Sequence, residues 1–180
     1  MKQWTLRKQW TFVVSIVFHA LLLVVVYVLQ GMVFPYVRFF GLVPLLLPIV
    51  STGAAVYQGR IAGGIIGLFA GILCDISFIQ PVGVFTVVLT IAGVFVGYLA
   101  DTVMARGFAT YIISCAVVLS ISAFAQIFPL MFFANVASTP LLTLGLRQTI
   151  YSLLYAVPIW VFVRGLGIRA QRESPSGRPL

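Results

Sequence analysis

Acidic side chains are nearly missing from this chain. Asp75, Asp101 and Glu173 stand against eleven lysines and arginines, and the only histidine is His19. Paired carboxylates for acid–base work, metal-ligand clusters and nucleophile–base arrangements need more such residues than this chain supplies at any useful spacing. The expectation is a protein that is not an enzyme and holds no metal and no cofactor. Cysteine is almost as scarce. Cys74 and Cys115 show no ligand spacing and stand in separate apolar runs, so both read as buried thiols rather than a disulfide. Charge is scarce overall, at 8% of residues, where water-soluble domains carry roughly 25%.

Apolar residues fill the gap. They make up 62% of the 180 residues, and the mean hydropathy is +1.15. No soluble fold of this size hides that much apolar surface, so a bilayer is the solvent. Six segments have the length and polarity of a membrane span, at about 10–30, 39–58, 61–78, 83–100, 107–128 and 145–164. Glycine and proline mark most of the breaks between them, as in "QGMVFPYVR" and "IQPVG". The first run is too long for a signal-peptide core and has no small-residue cleavage site behind it, so it reads as a retained span. Bare backbone has no partner in lipid, so the spans read as helices. The expected fold is all-α, a polytopic integral membrane protein with six transmembrane helices. Residues 1–180 form one transmembrane domain, with a basic cytoplasmic tail at 165–180.

The positive charges orient it. With alternating spans, Lys2, Arg7, Lys8, Arg60, Arg106, Arg164, Arg169, Arg172 and Arg178 share one side, leaving Arg38 and Arg147 opposite. Excess Lys and Arg marks the cytoplasmic face, so both termini are expected inside. The net charge of +8 then reflects topology, and no nucleic-acid partner is expected. The basic tail also has a second reading, as a docking site for a cytoplasmic partner or anionic lipid. Trp4, Trp10 and Trp160 fall near the expected interfaces.

One stretch stands out. "GRIAGGIIGLFAGILCD" sets Gly59, Gly63, Gly67, Gly71 and then Asp75 in steps of four, and the fourth span repeats the device with Gly93, Gly97 and Asp101. A step of four residues advances about 400°, so the glycines form a slowly winding groove free of side chains. Such rows let membrane helices approach closely. Spans three and four are accordingly expected to pack tightly at the bundle's centre, with room for a small ligand as the competing reading. Asp75 lies about 22 Å along the helix from Arg60, near the outer end of the hydrocarbon core. A charge there turns inward to a partner. The expected partner is Arg147, or else the end of an adjacent helix. Asp101 has Arg60 or Arg106 within reach.

Other features are weaker. His19 reads as a hydrogen-bonded bundle residue. Pro44 and Pro48 are expected to bend the second span, and Pro158 the sixth. The uncharged stretch 128–140, "FPLMFFANVASTP", reads as an outward loop lying in the headgroup zone. Its Phe128, Met131, Phe132 and Phe133 are the candidate partner surface.

The run "GRIAGGIIGLFAGILCDISFIQPVGVFTVVLTIAGVFVGYLA" resembles the rod shape-determining protein MreD family. The resemblance rests on Gly63, Gly67, Gly71, Leu73, Asp75 and Gly83, with Pro44, the chain length and the basic tail in support. "FIQPVG" stands where that family's connector is richer in glycine and serine. The resemblance implies a non-catalytic subunit of the rod complex in the bacterial inner membrane. It would scaffold peptidoglycan synthesis beside a MreC-like bitopic protein, a RodA-like glycosyltransferase, the elongasome transpeptidase and, indirectly, MreB. It also implies a six-helix arrangement similar to the substrate-binding subunits of energy-coupling-factor transporters. The competing function is a small-molecule-binding transporter subunit of that kind, with Asp75, Gln80, Gln126, Asn135 and Arg147 lining its pocket.

Overall fold

A chain this apolar must satisfy its backbone hydrogen bonds internally, and the α-helix does so within each segment. The structure, a computed structural model, describes residues 2–32, 44–77, 83–102, 107–133 and 138–172, with side chains over 13–32, 44–77, 83–102, 107–128, 143–163 and 165. The described elements are the helices α1 (Lys2–Met32), α2 (Leu46–Gln58), α3 (Arg60–Ser77), α4 (Val84–Thr102), α5 (Phe108–Phe133) and α6 (Ser138–Arg172). Five stretches are long and apolar enough to cross a membrane: Val13–Met32, Arg60–Ser77, Val84–Thr102, Phe108–Phe128 and Thr143–Val163. This is the architecture of a multi-pass membrane protein.

The second expected span departs from that pattern. α2 has 13 residues, about 20 Å at 1.5 Å per residue, and falls short of a hydrocarbon core roughly 30 Å thick. Residues 39–43 lie outside the described part, and Pro44 and Leu45 are not helical. The expectation that two prolines bend this helix does not hold for its described part. Pro44 precedes α2, and Pro48 sits in its first turn, where a backbone N–H has no intrahelical partner to lose. Pro158 does lie inside α6.

α2 is the centre of the molecule. Every residue from Leu46 to Tyr57 is buried. The helix packs against all five others, which close around it in the order α1, α3, α4, α5, α6 and back to α1. The central position expected for α3 and α4 therefore belongs to α2. Their shared seam is buried, but Ile61, Phe69 and Ile76 of α3 and Val87, Ile91 and Phe95 of α4 are exposed on the bundle's outside. The reason is that lipid is as apolar as a protein core. Hydrophobicity cannot separate a wrapped helix from a lipid-facing one.

Single polar side chains on α1 and α6 tie both ends of α2. At its start, the Leu45 amide donates to Ser152 Oγ of α6 at 2.9 Å, and the Leu46 amide donates to Gln30 Oε1 of α1 at 3.2 Å. At its finish, the Gln58 amide nitrogen lies 2.7 and 3.1 Å from the two ring nitrogens of His19 on α1. Trp160 Nε1 of α6 donates to Tyr57 Oη at 2.8 Å. The same Trp160 ring meets Phe108 edge-on, with centroids 4.9 Å apart. His19 is fully buried, and its Nδ1 also lies 2.9 Å from the Ser15 carbonyl oxygen.

The stretch 128–140 is mostly helix. α5 runs on past Pro129 to Phe133, and α6 already begins at Ser138, so the expected loop does not hold for those parts, and residues 134–137 lie outside the described residues. An uncharged apolar run gives a helix no reason to stop, and one proline does not end it.

Ser152 is fully buried, so losing its hydroxyl strands the Leu45 amide away from water. Ser152→Ala should cost about 1–3 kcal/mol of stability. A lowered thermal unfolding midpoint in mild detergent checks this, with Ser120→Ala as the control, because Ser120 is exposed and its hydroxyl bonds only to its own helix.

Candidate functional site, a glycine seam closed by two carboxylates

Gly59 is where α2 stops and α3 starts. Its amide donates to the Ala55 carbonyl at 3.1 Å, closing α2, and its own carbonyl accepts from Gly63 at 2.9 Å, opening α3. One residue does both only at φ 86°, ψ −174°, a conformation essentially confined to glycine. It also leaves room for a carboxylate. A Cβ on Gly59 would come within 2.7 Å of Asp101 Oδ2.

From there α3 and α4 run antiparallel with their backbones in contact. A Cβ on Gly63 would lie 2.5 Å from the Gly93 carbonyl oxygen, and one on Gly93 would strike the Gly63 carbonyl in return. Gly67 faces the carbonyl of Leu89, Gly71 faces the backbone of Thr86, and Gly97 faces that of Arg60, whose Cα would be 2.6 Å from an added Cβ. The helix α2 joins at the same level, with Ala55 against Gly63. Neighbours made of backbone cannot step aside for a side chain, so each of these glycines is sterically required. Close approach of this kind is the way membrane helices gain dispersion contact without a hydrophobic driving force.

Each end of the seam is closed by a carboxylate from the opposite helix. Near the end of α3, Asp75 accepts hydrogen bonds from the amides of Phe85 and Thr86, both at 3.0 Å, and from the Thr86 hydroxyl. Those amides belong to the first turn of α4, where no intrahelical acceptor exists. Near the end of α4, Asp101 accepts from the Arg60 amide at 3.3 Å, in the first turn of α3. An aspartate in the last turn opposes its own helix dipole, but the neighbour's N-terminal end offsets that penalty. The arrangement works only for an antiparallel pair of matched length.

Asp75 thus goes to an adjacent helix end and not to Arg147. Arg147 is exposed on α6, and α3 and α6 do not pack against each other among the described residues. A first turn with unbonded amides beside it is the stronger and nearer partner. Asp101 reaches the Arg60 backbone, and Arg106 lies outside the described residues. Gly83 takes φ 100° and accepts from the Val87 amide at 3.0 Å as α4 begins, so both helices of the pair start on a glycine with positive φ.

The pocket residues expected for a transporter subunit are not gathered here. Asp75 serves α4, Gln126 is half-buried on α5, Arg147 is exposed, and Gln80 and Asn135 lie outside the described residues. Of the candidate partner surface, Phe128 is exposed and packs on Phe124 with centroids 6.1 Å apart; the side chains of Met131, Phe132 and Phe133 are outside the described part. Cys74 and Cys115 are buried free thiols. Among the described residues, no three His, Cys, Asp or Glu side chains come together. Sequence reasoning missed the polar frame around α2. Only His19, read as a hydrogen-bonded bundle residue, was found in advance; Gln30 and Ser152 carried no signal that set them apart from other polar residues of α1 and α6. No family model, characterised protein or solved structure matches the chain.

Replacing Asp75 with alanine removes the acceptor for two amides and should cost about 1–3 kcal/mol. Asparagine, which keeps one acceptor oxygen, should cost less; thermal unfolding in detergent ranks the two. Gly67→Leu should separate α3 from α4 and lower the unfolding midpoint further than either.

Proposed function

We propose that the chain is a non-catalytic scaffold of the bacterial cell-elongation (rod) complex, of the MreD type. In this reading it sits in the inner membrane with both termini cytoplasmic and holds a MreC-like bitopic protein and the RodA-like synthesis machinery through lateral helix contacts. One observation carries the proposal. Five of the six residues on which the MreD resemblance rests build the seam: Gly63, Gly67 and Gly71 meet the α4 backbone, Asp75 caps α4, and Gly83 opens it, Leu73 being the exception. A motif spent on locking two helices together suits a rigid platform. Both aspartates of the described part are engaged by backbone amides rather than held ready for chemistry. The likeness to the substrate-binding subunits of energy-coupling-factor transporters belongs to the same proposal, at the level of six helices wrapped into one bundle.

The test is affinity purification of the tagged chain from its native membrane in mild detergent, with identification of the proteins recovered. Elongation subunits, above all a MreC-like bitopic protein, should co-purify with the wild type and be depleted with Gly67→Leu. Recovery of transporter ATPase subunits, together with a small molecule that raises the unfolding midpoint, would replace this reading with the transporter one.

A further inference from the structure

The outer side of the same seam carries a groove that the scaffold reading does not use. It is open, has a volume of about 350 Å³, and runs between Ile61, Ile65 and Leu68 of α3 and Thr90 and Val94 of α4. Gly64 forms its floor, and Val94 already presses against that floor, since a Cβ there would meet Val94 Cγ2 at 2.8 Å. The Thr90 hydroxyl donates to the Thr86 carbonyl of its own helix, so it adds no free polar group to the wall. Arg60 bounds the groove at the end where α3 begins, lining it with its aliphatic stem. Its backbone amide is taken by Asp101, but among the described residues its guanidinium makes no ion pair and is exposed.

We propose that this groove binds one anionic phospholipid, with its headgroup phosphate on the Arg60 guanidinium and an acyl chain along Ile61, Ile65 and Leu68. The polarity of the groove and its end is that of the lipid itself: one exposed cation at the first residue of a membrane-length helix, then apolar walls. From Arg60 to Leu68 the groove runs about 12 Å, enough for a substantial part of an acyl chain. Arginine matches phosphate oxygens through paired N–H donors, which a passing zwitterionic headgroup satisfies less well because its own cation competes. The proposal stands on the groove and its cation and does not depend on the scaffold reading.

Native mass spectrometry of the protein released from nanodiscs of equal phosphatidylglycerol and phosphatidylcholine provides the test. Wild-type protein should retain phosphatidylglycerol about fivefold over phosphatidylcholine, the factor expected from one basic residue near the surface. Arg60→Gln should abolish that preference, while Arg147→Gln, which alters an exposed cation elsewhere, should keep it. Ile65→Trp, filling the groove from outside, should reduce retention of both lipids with the unfolding midpoint unchanged. Persistence of the preference in Arg60→Gln would overturn the proposal, as would undiminished retention in Ile65→Trp. Displacement of the lipid by glycerol phosphate would also overturn it, since that result would make the site one for a free phosphate compound.

Discussion

The fold depends on one requirement: the ends of helices held inside an apolar bundle need hydrogen-bond partners, and water is not there to provide them. Each helix leaves four amides and four carbonyls without intrahelical partners. Here a few polar side chains, each from a different helix, are placed at those ends. Ser152 and Gln30 meet the buried start of α2 and Asp75 the half-buried start of α4, while Asp101 does the same at the exposed start of α3. Other hydroxyls, such as those of Thr52, Thr90 and Thr149, turn back to carbonyls of their own helices instead.

Two sorts of contact then divide the work. Backbone against backbone, through glycine, joins α3 to α4 and brings α2 up to them at Ala55. Side chain to helix end or side chain fastens α2 to α1 and α6. The first is steric and tolerates no added carbon. The second is polar and is satisfied by one atom at each position. Together they put a short helix, buried from Leu46 to Tyr57, in the middle of five others, without a long-range charge pair among the described residues.

The seam was legible in the amino-acid sequence because steps of four repeat along a helix face, and an acid at the end of such a row has to look sideways for a donor. That reasoning reached an adjacent helix end as one possibility for Asp75, though Arg147 was the first choice. A charge–charge pair is easy to imagine from composition, whereas the amides of a neighbouring first turn leave no mark in the sequence. The central place of α2 was not legible, since "LLPIVSTGAAVYQ" is no more apolar than helices whose outer faces are exposed. Nor were the ties from Gln30 and Ser152, which lie 16 and 107 positions from their partners. The end of α5 was misread because Pro129 mimics a break in a run that stays helical to Phe133.

The wrapping of α2 has a consequence for biogenesis. A helix only 13 residues long and surrounded by five others is too short to span the hydrocarbon core by itself. Its first amide finds its acceptor on Ser152, in the last helix of the bundle to be synthesised. Until α6 is in place that amide lacks this acceptor, so the covering of α2 is complete only when both α1 and α6 have packed against it.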